Sequence, residues 1–315
     1  MNWQERVIGA AERIRPLVRE TPVELSAFSL GTSTQLFLKL EHLQHTGSFK
    51  FRGASNKISL LTPNEAAVGV ITASNGNHGL AVAAAASAKG IDAEVYVSSK
   101  VSRSKLHRIQ QYGASIQEIG DDPLDAELAA REAAVSSGRV FISPYNDPDV
   151  IAGQGTIAVE LHRQLRDIDA IFVAAGGGGL IGGIGAYMKA ASPKTEIVGC
   201  WPENSPVLCR CLEAGRILDV PEQPTLSEST AGGLEPGSIT LDLCRAVVDR
   251  AVLLSESEIL AAMRRSLEED HWLIEGAAGV ALAAYLREAK QYADKTAVVV
   301  ICGRNLSNEV LHRLL

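Results

Sequence analysis

The chain has little that would send it to a membrane, a nucleic acid or an oxidising compartment. Its longest apolar run, residues 80–86, is alanine-rich and far short of the roughly 20 residues a spanning helix needs. The formal net charge is -7 and no long basic run occurs, which argues against a nucleic-acid surface. The N-terminus shows no basic segment followed by an apolar core, so no signal peptide is expected. Cysteines number five, an odd count scattered over Cys200, Cys209, Cys211, Cys244 and Cys302. They read as reduced thiols of a cytoplasmic protein rather than a disulfide framework. Cys209-x-Cys211 is not a zinc signature, because thiols two apart on a helix diverge and no second ligand pair follows. Aromatics are scarce at 5%.

Small and apolar residues are abundant instead: 46% of the chain is hydrophobic and 28 residues are glycine. Short apolar runs at 35–40, 68–72, 93–97, 115–119, 140–142, 170–174, 196–200, 251–254 and 297–301 predict strands. Helical patterns are predicted at 3–15, 49–61, 77–89, 102–112, 123–137, 152–166, 179–191, 205–215, 256–269, 276–289 and 306–313. Strand–helix alternation at this spacing implies an α/β protein with parallel sheets covered on both faces. Val298-Val299-Val300-Ile301 is uniformly apolar, as a strand buried on both sides should be. Residues 218–240, with three prolines and three glycines, read as a loop. The length suits about two domains. No linker divides the chain cleanly, so two open-sheet domains are expected to interleave. Residues 1–54 and 143–315 would form the larger, and residues 55–142 a smaller inserted one.

Four segments carry chemistry. In Ser48-Phe49-Lys50-Phe51-Arg52-Gly53-Ala54, Ser48 can cap a helix whose first turn holds Lys50 between two phenylalanines. Lysines in such turns are usually solvent-exposed; apolar neighbours instead lower the amine's pKa and make it a better nucleophile. Ser74-Asn75-Gly76-Asn77-His78-Gly79 follows a strand and opens a helix. That edge of a parallel sheet is where ligands bind, and a helix start offers N–H groups to an anion. Gly176-Gly177-Gly178-Gly179-Leu180 also joins strand to helix, and successive glycines let backbone N–H groups converge on a phosphate. Gly177, Gly179 and Gly182 fit a dinucleotide spacing loosely, but Glu196 and Glu203 are poor fits to the acidic ribose partner expected about 20 residues on. Cys302-Gly303-Arg304-Asn305 ends the last strand on the same kind of edge. An amine nucleophile and a phosphate nest together suit pyridoxal phosphate.

These segments, in this order, resemble the threonine/serine dehydratase group of fold-type II pyridoxal-phosphate enzymes, which includes serine racemase. Val150-Ile151-Ala152-Gly153-Gln154-Gly155-Thr156, Ala231-Gly232-Gly233-Leu234 and Glu275 belong to the same pattern, which covers nearly the whole chain. The resemblance implies two α/β domains with pyridoxal 5'-phosphate between them. It implies that Lys50 binds the cofactor covalently and later moves the substrate's Cα proton. Gly176, Gly177, Gly178, Gly179 and Leu180 would bind the phosphate, Asn77 the ring hydroxyl, and Cys302 would face the ring nitrogen with Phe49 packed on the ring. Ser74, Asn75, Gly76 and His78 would frame the substrate carboxylate. The implied reaction is β-elimination of water from a 3-hydroxy amino acid, giving a 2-oxo acid and ammonia, in a homodimer.

The chain departs from the group in three places. Asn75 stands where serine racemase has the serine that serves as its second acid/base. Trp201 and Val207 fall on the acidic ligands of the group's usual divalent-cation site, so no metal is expected there; Glu203 is one remaining candidate. Arg304 replaces a glycine in the ring-facing turn; a guanidinium beside the ring would alter its electronics, its seating or the pocket, and the alternative is that it points to solvent or pairs with a nearby acid. It leaves room for bulkier substrates such as phenylserine or 3-hydroxyaspartate, or a hydroxyectoine-derived compound. The chain ends at Leu315 without the regulatory domain of biosynthetic threonine dehydratases, so a catabolic role is expected. An amino-acid racemase on the same scaffold is the alternative within the group; a nicotinamide-dependent oxidoreductase is the alternative outside it.

Overall fold

The computed structural model describes residues 2–29 and 33–315. Helix α1 (Trp3–Ile14) starts at Asn2, whose side chain accepts a bond from the Glu5 N–H. Strand β1 (Val23–Leu25) pairs antiparallel with β2 (Gln35–Lys39). After a single 3-10 turn at 41–43 the chain enters α2 (Lys50–Ser59). Helix α3 (Pro63–Val68) follows, fixed by a reciprocal capping box between Thr62 and Glu65. Strands and helices then alternate through β3 (Val70–Ala73), α4 (Asn77–Ser87), β4 (Ala93–Val97), α5 (Arg103–Gln110), β5 (Ser115–Glu118), α6 (Pro123–Ser137) and β6 (Val140–Phe141). The alternation continues with α7 (Pro148–Gln164), β7 (Ala170–Ala174), α8 (Gly179–Ala191), β8 (Glu196–Pro202) and α9 (Val207–Ala214). A long irregular stretch leads to α10 (Thr240–Val247), β9 (Arg250–Leu254), α11 (Glu256–Glu269), α12 (Gly276–Glu288), β10 (Thr296–Val300) and α13 (Asn308–Leu314).

The strands form two sheets. One is six-stranded, ordered β1-β2-β10-β7-β8-β9, and the other four-stranded, ordered β5-β4-β3-β6. Every pair but β1–β2 is parallel. Helices cover the faces because parallel neighbours need crossovers. Strand β10 lies inside the larger sheet, with Val299 registered on both Leu38 and Phe172. Ala297, Val298, Val299 and Val300 have no exposure at all, which accounts for the unbroken apolar run. Each valine so buried is worth about 1.5–3 kcal/mol before the entropy of ordering it.

Helix α2, which carries Lys50, is held by two devices. The first is its crossing with α7, where a Cβ on Gly153 would sit 2.6 Å from the Gly53 Cα. Glycine on both helices is what lets the backbones meet. The second is a fully buried guanidinium. Arg52 donates to both oxygens of Glu41 (2.7 and 2.8 Å) and both oxygens of Glu160 (2.6 and 2.8 Å). Lys39 adds a bond of 2.6 Å to Glu160. Two cations and two anions therefore close a neutral cluster between β2, α2 and α7. Burial alone would raise the Glu41 carboxyl, but the Arg52 guanidinium more than offsets it and holds the carboxyl below its ordinary pKa.

The structure departs from the sequence reading at several elements. Strand β1 and helices α3 and α10 are additional. Strand β3 begins at Val70, because Gly69 adopts φ +101 and ends α3 first. Helix α7 starts four residues earlier than expected, at Pro148, with Asp147 capping the N–H groups of Asp149 and Val150. Proline at the first helical position was the unread signal.

Replacing Arg52 with leucine would leave two buried carboxylates facing one lysine. Chemical denaturation should show a loss of about 3–5 kcal/mol. A loss under about 1 kcal/mol would mean that the cluster does not hold α2.

Candidate active site

Lys50 is the first residue of α2, and the turn before it is tied to the end of β10. Ser48 and Gly303 form an antiparallel bridge, and the Phe49 N–H donates to the Cys302 carbonyl at 3.0 Å. The lysine side chain is partly open to a cavity of about 1600 Å³. Its Nζ donates to the Pro144 carbonyl at 2.7 Å and has no ion-pair partner among the described residues. Burial lowers the amine to a pKa of about 8; Cys302 and Glu275 partly counteract this. The neutral, nucleophilic form is thus within reach near neutral pH.

The glycine run lines the same cavity. Gly178, at φ +87, opens α8 without a side-chain cap, and the N–H groups of Gly177, Gly178, Gly179 and Leu180 find no acceptor among the described residues. A Cβ on Gly177 would lie 2.4 Å from the ring of Tyr145, and one on Gly176 would lie 2.8 Å from the Thr230 carbonyl. This is a cradle of unpaired donors at a helix N-terminus, suited to a dianionic phosphate.

Cys302 and Glu275 complete the floor. Burial pushes the Cys302 thiol well above its ordinary pKa, and Glu275 adds to the effect, so the sulfur is a neutral thiol. Glu275, 5% exposed, accepts from Asn77 Nδ2 (2.9 and 3.0 Å), Ser229 Oγ (2.7 Å) and the Asn305 N–H (3.0 Å). Burial raises its pKa and these donors oppose the rise. A Cβ on Gly303 would sit 2.5 Å from the same carboxylate, so no larger side chain fits there.

Phe49, Lys50, Asn77 and Cys302 all line the cavity, as do Gly176, Gly177, Gly178, Gly179 and Leu180. Ser74, Asn75, Gly76 and His78 are not among the residues that line it. Ser74 Oγ accepts the Gly76 N–H at 3.1 Å. The Asn75 amide is engaged twice with Ser98: Nδ2 donates to Oγ at 2.7 Å and Oδ1 accepts the N–H at 2.8 Å. Asn75 therefore ties its loop to the end of β4 instead of pointing into the cavity. His78 lies 3.0 Å from the Ile142 carbonyl through Nε2, which must carry the proton to donate to it. Burial, with a smaller push from Lys50, lowers its pKa to about 3, so it stays neutral. What this loop offers an anion is backbone: α4 begins without a side-chain cap, and the N–H groups of Asn77, His78 and Gly79 have no acceptor among the described residues.

Of the two readings of Arg304, the structure agrees with the one that turns it to solvent. Its side chain is exposed and outside the cavity, because the turn puts Gly303 against Glu275 and the next residue outward. Burial first, then the Arg304 charge, lowers the pKa of His42 to about 4. Trp201 and Val207 are buried hydrophobic side chains, and no cluster of metal-ligating side chains occurs among the described residues. Among those residues, no helix is long and apolar enough to cross a membrane. Sequence reasoning gave no role to Glu275, Asn305 or Tyr145. Tyr145 follows β6 at the ligand-binding edge of the smaller sheet, and the same edge rule that drew out residues 74–79 could have found it.

A fold of interleaved parallel α/β sheets with a lysine, a glycine cradle and a neutral thiol at one cavity defines a class, and comparison with known proteins agrees. Residues 14–303 match the family model described as pyridoxal-phosphate dependent enzyme. The chain belongs to this family, of fold type II, and pyridoxal phosphate is its cofactor. It is 36% identical to the catabolic L-threonine dehydratase of Escherichia coli (strain K12) over 95% of this chain and 92% of that one. Among solved structures it resembles processed threonine deaminase isoform 2 from Solanum lycopersicum, with TM-score 0.94, 30% identity and coverage of 99% and 86%. It also resembles maize serine racemase, with TM-score 0.91, 31% identity and coverage of 98% and 95%.

The cradle can be tested by charge at constant size. Asparagine at position 178 tolerates the positive φ, whereas aspartate adds a negative charge to an anion nest. Gly178→Asp should therefore weaken pyridoxal-phosphate binding at least about tenfold more than Gly178→Asn. Equal dissociation constants for the two variants, measured by equilibrium dialysis, would place the phosphate elsewhere.

Proposed function

We propose that this chain eliminates water from a 3-hydroxy amino acid of the threonine or serine type, releasing a 2-oxo acid and ammonia. The observation that carries the reading is the Lys50 amine, held only by the neutral Pro144 carbonyl, in the same cavity as the glycine run that opens α8. The residues fit the cofactor. The N–H groups of Gly177, Gly178, Gly179 and Leu180 would hold its phosphate. Asn77 would face the ring hydroxyl, Cys302 the ring nitrogen and Phe49 one edge of the ring. When bound, pyridoxal phosphate supplies an electron-withdrawing ring that stabilises negative charge at the substrate's Cα.

The chain's own groups do the rest. Lys50 would hold the cofactor's aldehyde carbon until substrate arrives. The freed Nζ, with its pKa brought down to about 8 by burial, then takes the Cα proton. The N–H groups of Asn77, His78 and Gly79 hold the substrate carboxylate at the start of α4, with Ser74, Asn75 and Gly76 shaping the loop. Asn75 does this through Ser98, not by touching substrate. The Cys302 thiol donates no charge to the ring nitrogen. Beside such a thiol the ring would be a weaker electron sink than beside an acidic partner, which would favour loss of the β-hydroxyl. A carboxamide bound to Ser98 exchanges no proton, so Asn75 supplies no second donor for the face opposite Lys50. This is what sets the reading against a racemase.

The division into residues 1–54 plus 143–315 and an inserted 55–142, a homodimeric assembly and a cytoplasmic location belong to the same reading. The E. coli relative's name gives threonine as that enzyme's substrate, and the similarity along both chains supports a substrate of that type here.

A panel of threonine, serine, phenylserine and 3-hydroxyaspartate, each as separate enantiomers, should give 2-oxo acid from at least one threonine- or serine-type member. Chiral chromatography should find epimer forming below about a tenth of that rate. Epimer forming as fast as 2-oxo acid would favour the racemase. No 2-oxo acid from any member would sink the dehydratase reading.

A further inference from the structure

Arg108 is an exposed residue in the last turn of α5, beside the fully buried Ile109 that anchors the helix to the four-stranded body. Its guanidinium reaches across to the six-stranded body. Nη1 donates to Asn305 Oδ1 at 2.7 Å, and Nη2 lies 3.4 Å from the Thr46 carbonyl. Asn305 passes the contact on, its Nδ2 donating to Asn77 Oδ1 at 2.5 Å and to the Thr46 carbonyl at 3.0 Å. Asn77 Nδ2 in turn donates to both oxygens of Glu275.

A guanidinium can only donate and a carboxylate can only accept. Between these two ends each amide has one consistent orientation: oxygen toward Arg108, nitrogen toward Glu275. The chain is therefore directed, and each bond polarises the next. A cation on Asn305 Oδ1 makes Asn305 Nδ2 a stronger donor to Asn77 Oδ1. That in turn makes the Asn77 Nδ2, at the cavity wall, a stronger donor. The cation also stands on a different sheet body from the amides it polarises.

We propose that Arg108 is a positioning residue for Asn77, acting from the four-stranded body through Asn305. The arrangement links the approach of the two bodies to the orientation and donor strength of the cavity amide. It rests on the reading that Asn77 faces the cofactor's ring hydroxyl. Arg108 itself is not among the residues that line the cavity. Its neighbour Lys105 makes a separate bridge to Glu228 at 3.2 Å. On α6, Arg131 makes another to Glu235 at 2.5 Å. Neither lysine nor arginine there hydrogen-bonds a member of the chain.

The Arg131 bridge supplies the control. Full-length Arg108→Ala, Arg108→Lys and Arg131→Ala would be loaded with pyridoxal phosphate. The visible absorbance of the bound cofactor and its dissociation rate into excess apo-acceptor would then be read. Arg108→Ala should move the absorbance maximum and release cofactor roughly three- to tenfold faster, as expected for one lost hydrogen bond. Arg108→Lys, which keeps a cation and a donor, should recover part of both changes. Arg131→Ala should match the unaltered protein. Unchanged absorbance and release in Arg108→Ala would overturn the proposal. So would identical changes in Arg131→Ala, because contact between the bodies alone would then explain the effect. An unaltered protein that binds no cofactor would instead sink the reading of the site, and this inference with it.

Discussion

A buried guanidinium two residues beyond Lys50 is the constraint on which the site depends. Arg52 has no exposure, and its two carboxylate partners come from different parts of the chain, Glu41 after β2 and Glu160 on α7. Buried ion pairs of this kind add little net stability but are costly to break. That cost gives the cluster its positional force. Helix α2 can start only where Arg52 meets both acids, so Lys50 is delivered to a fixed place at the end of β10. The bridge from Ser48 to Gly303 holds the same turn from the other side.

With α2 fixed, the two buried lysines contrast. Lys39 lies in the cluster, bonded to Glu160, the Thr21 carbonyl and Gln164. Lys50 has a single neutral acceptor. Burial depresses both amines, but only Lys50 faces a cavity. His78 is kept neutral, Arg304 is turned outward, and the phosphate cradle is made of backbone N–H groups instead of arginine or lysine side chains. Glu275 is the one buried anion at the floor, and it is surrounded by donors from α4, from the 229 region and from the turn after β10.

Much of this was legible in the sequence, because the alternation of apolar runs with helical patterns locates the strands of both sheets. The C-terminal edges of β3, β7 and β10 then carry residues 74–79, 176–180 and 302–305 to one place. What was hidden is tertiary. Ser98 lies 23 residues from Asn75, and nothing local announces that it will claim the Asn75 amide. Arg304 turns outward because of Gly303 packed on Glu275, a contact 28 residues apart in the chain. Arg108 has no local pattern that separates it from any exposed helical arginine. The additional strand β1 is only three residues long, with no fully buried position to mark it.

The central claim is that Lys50 is the amine that holds the cofactor. Borohydride reduction of the pyridoxal-phosphate-loaded protein, followed by peptide mapping, tests it directly. The account predicts one stable phosphopyridoxyl label, on the peptide containing Lys50. A label on Lys39 or any other lysine, or none at all in a protein that retains bound cofactor, would contradict it.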